Sequence, residues 1–310
     1  MLVFGPVPSR RLGRSLGINN IPPKHCSYSC LYCQVGPTKA TETQPRAFYS
    51  PEAVFDAVKQ HLEKLKAQKE TVDYLTFVPD GEPTLDAHLG KSIELLRGLN
   101  VKIAVISNAS LIWQPKVREI LKMADWVSLK VDSVDASVWR RINRPCEGLE
   151  LDDILSGMPA FAVDFKGMLV TETMLLEGIN TADDSIARLT AFLQKLAPDK
   201  VYLAIPTRPT AESRISASGA ETLNRIYQTV SRIMPDVELL SGYEGNAFAS
   251  TGDFTEDILA ITAVHPLRKD AVLKLLAKTG QKWSTVQRLL DSGKLREIEY
   301  QGNYFYIRIH

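Results

Sequence analysis

Cys26-Ser27-Tyr28-Ser29-Cys30-Leu31-Tyr32-Cys33 carries three of the chain's four cysteines, spaced C-x3-C-x2-C. Thiolates are soft ligands, and in a chain without secretory features such a cluster reads as a metal site rather than a disulfide framework. A closed zinc site needs a fourth ligand, and His25 is the obvious local candidate. It adjoins Cys26, and adjacent residues rarely point at the same metal, so zinc fits poorly. Three cysteines on three irons of a [4Fe-4S] cluster would leave the fourth iron open to an outside ligand.

The same spacing, with the aromatic Tyr32 just before the last cysteine, resembles the signature of the radical S-adenosylmethionine (SAM) superfamily. The resemblance implies that Cys26, Cys30 and Cys33 hold a [4Fe-4S] cluster whose open iron is chelated by S-adenosyl-L-methionine. It also implies reductive cleavage of SAM to a 5′-deoxyadenosyl radical that abstracts hydrogen from a substrate. The electron donor would be a protein such as flavodoxin or ferredoxin.

A cysteine loop needs a scaffold, and 310 residues suffice for one large domain and a small one. The composition, 45% hydrophobic and 24% charged, is that of a soluble globular protein with a sizeable core. Apolar runs are too short to span a bilayer, and Met1 to Pro6 lacks the features of a signal peptide, so no membrane partner and a cytoplasmic location are expected. A net charge of +1 neither demands nor excludes nucleic acid.

Residues 8–17, rich in Gly, Pro and Arg, read as loop. Arg10, Arg11 and Arg14 there are either anion ligands or a solvated basic patch. Strands are expected at 16–21, 74–78, 101–106, 126–131, 168–176 and 200–205. The helices between and after them fall near 51–65, 87–97, 115–123, 136–142, 181–196 and 220–234. Ser50-Pro51-Glu52 is a strong helix start, and Thr181 with Asp184 resembles a capping box. Six β-α units are too few for a closed eightfold barrel. They suit an α/β fold of the partial (β/α)6 TIM-like kind, the architecture of the resembled superfamily.

In such a sheet ligands sit beyond the carboxyl ends of the strands. Asp80-Gly81-Glu82-Pro83 after the second strand resembles the superfamily's GGE-type motif, with Asp80 where a glycine often stands. Ser107-Asn108 and the Lys130 to Asp132 segment follow the third and fourth strands and resemble other SAM-approaching segments. The resemblance thus implies Tyr32, Gly81, Glu82, Pro83, Ser107, Asn108, Lys130 and Asp132 as cofactor contacts. Arg140 to Pro145 also matches a phrase common in the family, mainly structural, with Arg144 a site candidate. Cys146 reads as a buried free thiol ahead of a radical-quenching hydrogen donor. Glu172, on the fifth strand, points either into the barrel or towards its helices.

The barrel is assigned to residues 1–245, a linker to 246–255 and a smaller unit to 256–310. Helices near 255–264, 268–278 and 283–291 precede two strands around Gln301-Gly302-Asn303, a winged-helix layout. Thr255 is the expected cap of the first. Lys282, Ser284, Gln287 and Arg288 fall on the helix that such folds present to nucleic acid, and wing residues Arg296 and Arg308 could add backbone contacts. From Glu256 onward nine Lys/Arg meet six Asp/Glu, a mild excess, and Tyr300, Tyr304 and Tyr306 read as hairpin packing.

Pro8 to Gly13, the cysteine motif and Thr207-Arg208-Pro209 together resemble the radical SAM group that includes the tRNA wyosine-base synthases. Those enzymes carry a second cluster on cysteines upstream of the motif. Here no cysteine precedes Cys26, which argues against pyruvate condensation and for a different substrate. RNA modification is the leading expectation, a docked peptide the second and a small metabolite the third. A nucleic-acid-binding redox sensor is the reading from a different class.

Overall fold

The computed structural model describes residues 2–38, 40–242 and 248–309. Eight strands follow one another in chain order across a single curled, open sheet: β1 Val3–Ser9, β2 Gly13–Ile18, β3 Tyr74–Phe77, β4 Lys102–Ser107, β5 Trp126–Lys130, β6 Met168–Met174, β7 Lys200–Ala204 and β8 Val237–Leu240. All neighbours from β2 to β8 are parallel, and β1 alone is antiparallel. The crossovers carry α1 Pro51–Ala67, α2 Leu89–Leu96, α3 Pro115–Leu121, α4 Ala136–Asn143, α5 Leu151–Ala162, α6 Asp183–Leu196 and α7 Ala220–Ser231. This is the partial (β/α)6 barrel, extended by a hairpin strand at one edge and a last parallel strand at the other.

Side chains alternate across each strand, which sorts the sheet into two faces. Val127 and Leu129 of β5 join Ile103, Val105 and Val201 in the large core under the helices. Trp126, Ala104, Val170 and Tyr202 face inward and close the barrel floor. By the same parity Lys130 lies above Trp126, and Glu172 above Val170. The two stand directly opposite across β5 and β6.

Residues 8–17, expected as loop, instead complete the β1–β2 hairpin, with Ser9 paired to Gly13. An edge strand tolerates the prolines that argued against it, because its outer N–H groups need no partner. Ser50 caps α1 as expected, accepting from the Ala53 N–H (3.1 Å). The capping box at Thr181 does not form: its hydroxyl accepts from the Gly178 N–H, and α6 starts behind Ala182.

After the barrel come α8 Phe254–Val264, β9 Leu267–Arg268, α9 Lys269–Thr279, α10 Trp283–Asp291, β10 Leu295–Tyr300 and β11 Asn303–Arg308. The last three strands form a small antiparallel sheet ordered β10-β11-β9. Asp253, rather than Thr255, caps α8 (3.0 Å to the Glu256 N–H). The start of the expected 246–255 linker, residues 246 and 247, and the turn residues 243–245 before it lie outside the described residues. From Phe248 on the segment is fastened: Ser250 and Thr251 bond the Asp257 carboxylate. Phe4 and Val7 of β1 pack into the same core as Ile258, Ile261, Val272 and Tyr306. The C-terminal elements are thereby anchored on the barrel's first strand.

Candidate active site

Cys26, Cys30 and Cys33 sit on the long β2–α1 connection, beyond the carboxyl end of β2. Backbone bonds pin this connection to the β3–α2 loop, the end of α4 and the segment just after α4. The His25 carbonyl accepts from the Glu82 N–H (3.0 Å), Leu31 N–H donates to Ile142 O (2.9 Å), and Cys146 N–H donates to Ser27 O (2.8 Å). Gly81 allows the first of these contacts. A Cβ there would lie 1.8 Å from the His25 oxygen, so only glycine lets the two loops touch.

Each of the three thiols is half-buried, and burial pushes all of them upward, Cys30 to about 12. A buried sulfur held this way becomes a thiolate when a cation joins it, so metal uptake here releases protons. Two side-chain amides aim at the sulfurs: Asn108 Nδ2 at Cys26 Sγ and Asn143 Nδ2 at Cys30 Sγ, each 3.5 Å. The Tyr28 N–H also reaches Cys26 Sγ (3.5 Å). Such donors stabilise charge on metal-bound sulfur. Among the described residues no three His, Cys, Asp or Glu side chains gather on one ion position. His25 is held by Glu42 and Arg46 and lies against Phe48.

A cavity of about 340 Å³ opens beside the three thiols, at the carboxyl ends of the strands. Of the expected SAM contacts, Tyr32, Gly81 and Lys130 line it. Glu82, Pro83, Ser107, Asn108 and Asp132 are not among its lining residues, and Glu82 and Asp132 instead centre bonding networks. Glu82 is 1% exposed and accepts from the Thr84 N–H (3.1 Å) and hydroxyl (2.6 Å), the Ser107 hydroxyl (2.8 Å) and the Asn108 N–H (2.7 Å). Burial still raises its pKa against those four donors. Pro83 starts the short turn that follows and gives its carbonyl to Asn20 Nδ2 (3.2 Å). Asp132 accepts from the Tyr32 hydroxyl, Asn143 Nδ2 (2.7 Å) and the Met174 N–H (2.8 Å). These two carboxylates tie loops together.

Five charged groups that sequence reasoning left undecided or unassigned also line the cavity: Arg11, Lys24, Asp80, Glu172 and Arg208. Glu172 takes Arg11 on one oxygen and Lys130 Nζ on the other (2.6 Å). Burial alone would raise its pKa, but the two cations prevail and bring it to about 2. Lys130 also lies over the Tyr32 ring, 4.8 Å from its centroid. Burial works against its charge, and the Glu172 and Asp132 carboxylates outweigh that. Asp80 is pushed by burial to about 7, against the pull of Lys24. Arg11 is the member of the arginine trio that reaches inside. Arg14 pairs with Asp73 on the surface (2.7 Å), and Arg10 reaches Leu239 O (3.3 Å). Arg144 pairs with Glu212 (2.7 Å), and Cys146 Sγ meets Thr41 O (3.5 Å); neither lines the cavity.

Comparison with known proteins decides the family. The model of the radical SAM superfamily matches residues 20–190, which include the cysteine loop and the ends of β3 to β6. The chain belongs to the radical SAM superfamily. It is a radical SAM enzyme, and membership implies a [4Fe-4S] cluster and SAM. Among its relatives is the UPF0026 protein MJ1312 of Methanocaldococcus jannaschii, 47% identical over 309 residues, spanning 99% of this chain and 96% of that protein. A radical SAM methyltransferase from Sphaerobacter thermophilus shares the fold at TM-score 0.57 and 14% identity, over 76% of this chain and 70% of its own. So does TYW1 with a lysine-pyruvate adduct bound, at TM-score 0.54 and 15% identity, over 71% and 74%.

On the C-terminal elements, Lys282, Ser284, Gln287 and Arg288 of the α10 region are exposed, as is Arg296. Arg308 is half-buried and donates to Leu259 O (3.3 Å). Tyr306 is buried and Tyr304 is 46% exposed. No helix among the described residues is long and apolar enough to cross a membrane.

Proposed function

We propose that Cys26, Cys30 and Cys33 hold the [4Fe-4S] cluster, that SAM binds in the adjoining cavity, and that the reaction abstracts hydrogen from a nucleoside in RNA. When bound, the cluster supplies the electron that cleaves SAM to methionine and a 5′-deoxyadenosyl radical. The observation that carries this reading is the cysteine loop itself. Three thiols border a cavity at the carboxyl ends of parallel strands, with amides from the β4–α3 loop and the end of α4 aimed at two of the sulfurs.

Within that reading the expected cofactor contacts separate by role. Tyr32, Gly81 and Lys130 touch SAM, while Glu82, Pro83, Ser107, Asn108 and Asp132 hold the loops that bear them. RNA is favoured by charge. Among the described residues the cavity wall carries Arg11, Lys24, Lys130 and Arg208 against Asp80 and Glu172, which suits a phosphate-bearing substrate. The C-terminal elements would act as a winged-helix domain that docks it through exposed Lys282, Gln287 and Arg288. A flavodoxin or ferredoxin is the proposed electron donor, and the cytoplasm the proposed location.

The test uses the full chain, reconstituted anaerobically with iron and sulfide. With dithionite and SAM it should release 5′-deoxyadenosine and methionine, and alanine at any of the three cysteines should abolish this. Adding RNA from a host strain lacking the protein should raise turnover and change a nucleoside mass. RNA from the intact strain should do neither. Stimulation by a protein fraction instead would move the substrate to a peptide. No deoxyadenosine from cluster-replete protein would remove the SAM reading altogether.

A further inference from the structure

One wall of the cavity does not come from the barrel. Val264 and His265, at the C-terminal end of α8, line it together with Cys33, Gln34 and Arg208. Gln34, the residue after the last cysteine, joins these parts. Its Nε2 donates to Val264 O (3.0 Å), and its Oε1 accepts from Arg208 Nη1 (3.2 Å). The packing of Phe4 and Val7 against the α8 core holds this wall to the sheet edge.

His265 is 8% exposed, and its ring meets Phe248 edge-on at 5.5 Å. Its backbone N–H is satisfied by Ile261 O, but among the described residues neither ring nitrogen has a hydrogen bond. A buried imidazole carries a donor and an acceptor, and buried polar groups without protein partners are the exception. Those two groups are therefore available to a ligand.

We propose that His265 is a substrate-facing residue of the active site, and that α8 encloses the substrate's reacting group beside SAM. This rests on the SAM reading above and adds to it a restriction on the substrate. A cavity of about 340 Å³ is at the small end of ligand pockets. Its size admits a single base, side chain or small molecule, and no duplex. The admitted group must offer a hydrogen-bond donor or acceptor to His265, because an apolar one would leave the imidazole unpaired.

Histidine footprinting on the reconstituted full chain tests this. Burial first, and then the Arg208 charge, hold the imidazole well below its usual pKa, so it is neutral and open to acylation at pH 7. Diethyl pyrocarbonate should modify His265 in SAM-free protein, and saturating SAM should slow that several-fold, read by peptide mass spectrometry. His88, which bonds Tyr49 O away from the cavity, should be unaffected. Gln34→Leu should loosen the wall and restore modification of His265 in the presence of SAM. Equilibrium dialysis of the same samples reports SAM binding. Bound SAM with unprotected His265, or His265 unreactive throughout, overturns the wall and leaves the SAM reading intact. Failure to bind SAM removes both.

Discussion

Glu172 holds two cations inside the barrel, with side-chain exposures of 17% for Arg11, 16% for Lys130 and 11% for itself. Removing the shared carboxylate leaves two buried positive charges facing each other. Glu172→Gln should therefore destabilise the protein by about 3 kcal/mol near neutral pH, the scale for breaking a buried pair. A carboxyl lowered from 4.5 to about 2 gives stability that is fully present above pH 4.5 and fades as pH falls towards 2. Thermal melts of wild type and variant should thus differ most above pH 4.5 and converge below it. A constant gap across that window would mean that lost packing, rather than the charge, sets the cost. The cysteine set was readable because spacing alone identifies it. The face of Glu172 became readable only through strand parity, and the role of Asp132 was hidden because its three donors come from the cysteine loop, the end of α4 and the end of β6. Asp80, standing where relatives often place glycine, was a visible sign beside Glu172 that this cavity carries additional carboxylates.

Strands and helices with regular patterns were legible in sequence, and those missed carry a breaker or are too short to show a pattern. β1 contains Gly5, Pro6 and Pro8, and its register shifts between Phe4 and Val7. α5 carries Pro159 inside and Gly157 against the Ile112 carbonyl, where a Cβ would lie 2.7 Å from that oxygen. β8 is only four residues long and half-buried throughout. The β3–α2 loop shows how one residue places an element. Gly81→Ala would drive a Cβ into the His25 backbone, and overpacking of this kind costs about 1–3 kcal/mol. Since His25 adjoins Cys26, the strain should fall on the cysteine loop. Reconstituted Gly81→Ala should hold clearly less iron and sulfide than wild type while its far-ultraviolet circular dichroism is unchanged. Full cluster content in that variant would show that the loop shifts without disturbing the sulfurs.

At the scale of the molecule, the barrel and the C-terminal elements share a core through β1, and α10 lies on the outside of that joint body. The helix buries Thr285, Val286 and Leu289, which leaves Lys282, Ser284, Gln287 and Arg288 outward. Nearby, Lys269 lies between the Trp283 and Tyr304 rings, 5.3 Å and 5.6 Å from their centroids. Cations beside exposed aromatics suit single-stranded nucleic acid, where bases stack and phosphates pair with Lys or Arg. Replacing Lys282, Gln287 and Arg288 together with alanine should lower affinity for single-stranded RNA. If both cations meet phosphates, the slope of log affinity against log salt should fall by about 1.4. Uncoupled 5′-deoxyadenosine release should not change, because the three residues do not line the cavity. Unchanged RNA affinity and salt slope would show that α10 does not dock nucleic acid. Lost SAM cleavage would show that α10 acts on the wall formed by α8, through the core they share, rather than on RNA.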